Sequence, residues 1–192
     1  MKLIAITGGI GSGKSVVARM VQVMGYHVYD CDSRAKSLMT DDPVVKQQLI
    51  HAFGPETYLG DGTINRKLLS SIAFADDKSR EVINGIVHPA TFQDLNRWSH
   101  YQSIRGTDIA FVETALLHTA KMEHMVDEVW HVTAPTDIRI QRVMVRSALT
   151  EAQVQARIAS QAEEDRLIEG EQVIVNDGNS ALLPQVMKLL LR

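Results

Sequence analysis

Between the apolar run Leu3-Ile4-Ala5-Ile6 and the helical pattern Val16-Val17-Ala18-Arg19-Met20 lies Gly8-Gly9-Ile10-Gly11-Ser12-Gly13-Lys14-Ser15, which fits G-x-x-x-x-G-K-[ST]. Glycines at these places let backbone N–H groups turn inward around phosphate oxygens with no Cβ in the way. Lys14 then reaches the terminal phosphates, and the Ser15 hydroxyl is the expected Mg²⁺ ligand. A loop at a helix N-terminus also aims the positive end of the helix dipole at the anion. The four fixed positions would coincide by chance in on the order of one chain in a hundred of this length. The strand–loop–helix context removes most of those coincidences, so the stretch predicts a nucleoside triphosphate site in an α/β fold.

At 192 residues the chain suits one compact α/β domain carrying a small extra lobe. A formal charge of −3, with no block of like charges, gives no reason to expect nucleic acid as a partner. The single cysteine, Cys31, excludes an intrachain disulfide and a Cys-rich metal site, in keeping with a reducing compartment. No run approaches the length of a membrane span, and the first apolar residues meet glycines too early for a signal peptide. The expectation is a cytoplasmic protein with no membrane partner, of open oligomeric state.

Leu3 to Thr7 reads as a strand buried on both faces, followed by the loop and a helix to about Met24. Gly25 sits where a C-cap belongs, and Tyr26 to Asp30 reads as a second strand ending in Asp30-Cys31-Asp32. From Ser33 to Arg105 periodic apolar residues predict helices only. One opens after Thr63-Ile64-Asn65 with Leu68, Leu69, Ile72 and Phe74 for a buried face; others cover Ser79 to Val87 and Pro89 to Arg105, with Pro89 in a first turn. Strands are expected at Asp108 to Glu113, Glu128 to Thr133 and Gln172 to Val175. Helices are expected from Pro135 to Ser147, from the capping box Thr150-Glu151-Ala152-Gln153, and from Ser180 to Leu191. The pattern implies a five-stranded parallel sheet with flanking helices. Its core is 1–32, 106–134 and 165–192, with a helical substrate lobe at 33–105 and a lid at 135–164.

Phosphoryl transfer to an alcohol wants a carboxylate near the acceptor hydroxyl and positive charge around the transferred group. Asp30 and Asp32 follow the second strand on the sheet edge that carries the loop, although Asp32 or Ser33 could instead cap the next helix. Arg139, Arg142 and Arg146, spaced i, i+3, i+7, share one side of a helix, as a phosphate-clamping lid needs, and equally as a solvated basic face shows. Arg146, at the turn before the capped helix, is the strongest of them. Glu113 either holds a Mg²⁺-bound water or closes its strand; His88 reads as a helix-boundary residue and Asn176-Asp177-Gly178 as a turn. Trp98 and Trp130 are packing residues.

Taken together, these stretches resemble the dephospho-CoA kinase family, the last enzyme of coenzyme A biosynthesis. The resemblance rests on Thr7 to Ser15, Asp30-Cys31-Asp32, Arg66-Lys67-Leu68 and Asn84-Gly85-Ile86-Val87-His88-Pro89. It continues through Arg142 to Arg146, Arg157-Ile158 with Gln161, and Val173 to Gly178. It implies a P-loop kinase using ATP and Mg²⁺ to phosphorylate the ribose 3′-hydroxyl of dephospho-CoA. By that resemblance Asp32 is the base, acting with Lys14 and Arg146. ATP is held by Gly9, Gly11, Ser12, Gly13, Lys14, Ser15, Val16, Arg142, Arg146 and Asn176, and the acceptor by Asp30, Arg66 and His88. The chain departs from the family at Thr114-Ala115-Leu116-Leu117-His118-Thr119, where Pro-Leu-Leu-Phe-Glu is common, and at Arg146-Ser147, where Arg-Asp is usual.

Two other classes fit the loop: another P-loop small-molecule or nucleotide kinase, and a nucleotide-gated regulatory protein. The second lacks support, since the chain has neither Asn-Lys-x-Asp nor the Asp-x-x-Gly that would sense a γ-phosphate.

Overall fold

The computed structural model describes all residues from Met1 to Arg192 except the side chain of Phe74, so the expected packing of Phe74 lies outside the described residues. Five parallel strands, β1 (Lys2–Thr7), β2 (His27–Asp30), β3 (Ile109–Glu113), β4 (Glu128–Thr133) and β5 (Gln172–Val175), form a sheet in the order β2-β3-β1-β4-β5. The helices are α1 (Lys14–Val23), α2 (Cys31–Asp41), α3 (Pro43–Phe53), α4 (Arg66–Ala75), α5 (Asp77–Ile104), α6 (Thr136–Ser147), α7 (Glu151–Ser160) and α8 (Leu182–Leu190). No helix among the described residues is long and apolar enough to cross a membrane.

The chain divides into two compact units, Met1–Asp30 with Tyr101–Arg192, and Cys31–His100. In the first, β1 lies centrally between β3 and β4, and Ile4, Ala5 and Ile6 are at most 2% exposed, which is why an unbroken apolar run is needed there. Ile4 and Ile6 pack with Phe111, Trp130, Val132 and Ile174 under Val17 and Val21 of α1 and Val186 of α8. The Phe111 and Trp130 rings meet edge to face with centroids 5.0 Å apart, and the Trp130 indole N–H donates to Glu128, so the largest core side chain leaves no polar atom orphaned.

In the second unit Val45, Leu49, Tyr58, Ile64 and Leu69 form the core. The helix at Arg66 starts as expected, with the Asn65 side chain accepting from Leu68 N–H. Two helices predicted over Ser79 to Arg105 are instead the single 28-residue helix α5, with Pro89 in its interior. Proline removes the N–H that would bond the Gly85 carbonyl. Gly85 is exposed and carries no side chain, so that carbonyl is left where water can reach it and the helix continues. The bidentate pair between Arg34 and Asp94, at 2.8 and 2.9 Å, ties α2 to α5.

Candidate functional site

The loop after β1 is shaped by what grips it from outside. Gly13 caps α1 at φ 99°, and a Cβ there would run into the Asn176 amide; Gly11, at φ 79°, lies against the Arg139 backbone. The carbonyls of three successive residues are each held by a side chain. Arg139 Nε donates to Ile10 O at 2.8 Å, Arg142 Nη1 to Gly11 O at 3.4 Å, and Asn176 Nδ2 to Ser12 O at 2.7 Å. Each bond satisfies a loop carbonyl with a side-chain donor and so fixes the path of the backbone that the glycines allow. Gln161 accepts from Ile10 N–H at 2.9 Å, and Arg142 Nη2 donates to Asn176 Oδ1 at 3.2 Å, closing the ring of supports. The Ser12 hydroxyl is buried with no hydrogen-bond partner among the described residues.

Gly11, Gly13, Lys14, Ser15 and Val16 line a cavity of about 170 Å³ together with Arg142, Val143 and Arg146. The three arginines of α6 therefore differ in role, graded by burial. Arg139 is 6% exposed and ion-paired to Asp165 at 2.9 Å, Arg142 is half-buried and shared between loop and cavity, and Arg146 is exposed at the cavity rim. Arg139 is a buttress of the loop, which its i, i+3, i+7 spacing could not distinguish from a clamp. Arg139→Leu should lower unfolding stability by about 3 kcal/mol, because the Ile10 carbonyl and Asp165 lose their donor inside the fold. Urea unfolding would read this; a change below about 1 kcal/mol would mean the loop keeps its shape unaided.

Strand ends supply the carboxylates. Glu113, at the end of β3, is in register with Ile6 on one side and Asp30 on the other. Ser15 Oγ donates to Glu113 Oε1 at 2.5 Å. A hydroxyl and a carboxylate meeting at the first turn of α1 are hard oxygen donors suited to Mg²⁺. The boundary of the two units falls just after Asp30, and α2 begins directly at Cys31, so Asp32 lies exposed inside its first turn and neither it nor Ser33 is the cap. Cys31 itself is buried.

Several supports were not legible in the sequence. Glu164, fully buried in the turn after α7, accepts from Thr7 Oγ1 at 3.3 Å and from Thr119 N–H at 2.8 Å. Thr119 is where the acid common in the family is missing, so a carboxylate comes to that point from another segment. Asn176, expected first as a turn residue, is 9% exposed and binds the loop, while the turn is made by Asp177, whose carboxyl the Ser180 and Asn179 N–H groups hold below its usual range. Because those bonds form the turn, α8 begins at Leu182 and not Ser180.

In the second unit Arg66 lines an apolar cavity of about 260 Å³ with Lys36, Met39, Ile64, Leu69 and Ile83. His88 lies within α5, half-buried, its ring 6.0 Å from that of Phe92, and burial holds its pKa below the ordinary value. Its neutral form is thus favoured in the folded state; the associated stability is complete above the unfolded pKa and is lost as pH falls through the lowered one.

A family model described as dephospho-CoA kinase matches residues 2–181. A dephospho-CoA kinase of Bacteroides fragilis is 36% identical over 188 residues, covering 97% of this chain and 90% of that one. One of Porphyromonas gingivalis is 36% identical over 192 residues, covering 99% and 93%. The fold is that of the solved dephospho-CoA kinase from Campylobacter jejuni, with a TM-score of 0.73 at 21% identity, covering 100% of this chain and 96% of that one.

Proposed function

The chain belongs to the dephospho-CoA kinase family, and on that premise we propose that it transfers the γ-phosphoryl group of ATP to the ribose 3′-hydroxyl of dephospho-CoA, giving CoA and ADP. The observation that carries this reading is the loop whose carbonyls are held by Arg139, Arg142 and Asn176 while Lys14, Ser15, Arg142 and Arg146 line the adjoining cavity. Such a nest suits the β- and γ-phosphates, with Gly9, Gly11, Ser12, Gly13 and Val16 providing backbone and wall, and Asn176 near the base. Lys14 and Arg146 balance the charge that spreads over the transferring group. Ser15 Oγ and the Glu113 carboxylate are the groups that would hold Mg²⁺, and their contact at 2.5 Å supports that pairing. When bound, the ion neutralises charge shared between the β- and γ-phosphates.

On the acceptor side Asp32 takes the proton as the 3′-oxygen forms its bond to the γ-phosphorus and the bond to the β-phosphate oxygen breaks. Asp30 orients the same hydroxyl from the end of β2. The cavity bearing Lys36 and Arg66 on apolar walls suits an acceptor that pairs phosphates with a long chain, and neutral His88 can hydrogen-bond without adding charge. The substrates are soluble small molecules, which makes the cytoplasm the proposed location, with neither nucleic acid nor membrane as partner.

ADP release with Mg-ATP, compared among dephospho-CoA, adenylate, other nucleoside monophosphates and no acceptor, tests the reading. Dephospho-CoA should stimulate release well above the other arms. A rate no higher than without acceptor overturns it.

A further inference from the structure

Away from the phosphate loop, three segments bring metal-ligating side chains together. His118 follows β3, His131 is the fourth residue of β4, and Glu171 immediately precedes β5; one ligand atom from each lies within 4.8 Å of the others. All three side chains are buried, with 7%, 2% and 5% exposure. His131 Nδ1 is 3.1 Å from Glu171 Oε2 and His118 Nε2 is 3.0 Å from Glu171 Oε1. On the far side of its ring, His118 Nδ1 is 2.9 Å from Glu123 Oε1.

His118 has a carboxylate beside each ring nitrogen. A neutral imidazole that donates Nδ1–H to Glu123 presents a lone pair at Nε2. His118 Nε2 lies 3.0 Å from a Glu171 carboxylate oxygen, buried and without a hydrogen-bond partner among the described residues. Glu171 Oε2 is hydrogen-bonded to His131 Nδ1 and accepts from Ile168 N–H at 3.2 Å, whereas His118 Nε2 and Glu171 Oε1 stand as two ligands converging on one tetrahedral ion do, near each other without pointing at each other. With bonds of about 2.1 Å their separation is about 3.4 Å, a few tenths of an ångström from the spacing here.

We propose that His118, His131 and Glu171 form a binding site for a divalent transition ion of the Zn²⁺ class, with Glu123 orienting the His118 ring. Two imidazoles and one carboxylate are a borderline-soft donor set that selects Zn²⁺ over Mg²⁺, and a carboxylate on the outer nitrogen of a ligating histidine is the usual support of such a ring. The ion would join the segment after β3 to β4 and to the start of β5. Since His131 is in register with Thr7, the last residue before the phosphate loop, the clasp would steady the sheet edge from which that loop departs.

The untagged chain, stripped with a chelator and held in excess Mg²⁺ to fill any oxygen-ligand site, is titrated with Co²⁺ and followed by visible absorption, then back-titrated with Zn²⁺. One equivalent should bind with the intense bands of a tetrahedral site, Zn²⁺ should displace it, and the melting temperature should rise. His118→Phe should abolish the bands, and Glu123→Gln should weaken binding by about 10- to 100-fold. Should His118→Phe fail to fold, Glu171→Gln takes its place. Absence of saturable binding, bands of the weak octahedral kind alone, or affinity unchanged in the ligand variant overturns the proposal and leaves a histidine–carboxylate network.

Discussion

Lys14→Ala is expected to lower kcat by about 10³-fold, the upper end for loss of one preorganised charge at a reacting group. Lys14 is the first residue of α1, directly after Gly13, and its side chain lines the cavity that Arg142 and Arg146 close from α6. The bonds that hold the loop's carbonyls and the Ile10 N–H come from Arg139, Arg142, Asn176 and Gln161. With those four supports in place, the variant should still fold cooperatively while turnover collapses. Steady-state kinetics beside a thermal melt separates the two, and near-normal turnover would refute the phosphate-loop mechanism.

Asp32→Asn is expected to lower kcat by roughly 10²-fold or more while leaving the dissociation constant for ATP unchanged, the magnitude associated with a general base. Asparagine preserves the shape and the place in the first turn of α2 but cannot take a proton. The distinction from a helix-terminal role is quantitative. As a charge near the positive end of the α2 dipole, Asp32 would contribute about 0.3–1 kcal/mol of stability and nothing to the rate. An unaltered kcat with a small fall in melting temperature would assign Asp32 to the helix; a lost acid limb in the pH–rate profile, with ATP affinity retained, would assign it to the reaction.

Much of this could be read from residues near one another in the chain. The run Leu3-Ile4-Ala5-Ile6 ahead of Gly8 to Ser15 demanded a buried parallel strand, a turn and a helix, because each step depends on neighbours only. The capping box at Thr150 and Gln153 and the strand Glu128–Thr133 are found where their local patterns put them, for the same reason. The family was equally legible, since its motifs are short and contiguous. Pro89 shows where local reasoning fails: a proline is a poor interior helix residue by propensity, but its cost depends on whether the carbonyl four residues earlier can reach water, and burial is not a local property.

What escaped the chain order is the set of bonds made across it. Glu113 could be read either as a strand terminus or as part of a metal site, and no local pattern tied it to Ser15, 98 positions away, which donates to it. Arg139, Arg142 and Arg146 share a helical face, yet one is a buried buttress and another lines the cavity rim, because strand order and helix packing, not spacing, set how deep each residue lies. Glu164 carries no motif, and the resemblance that names Gln161 and Asn176 does not say that they hold Ile10 N–H and the Ser12 carbonyl. Periodicity and capping report which atoms a residue's neighbours offer, whereas the partner of a buried donor is chosen by how distant segments pack, and that choice exists only once the sheet has assembled.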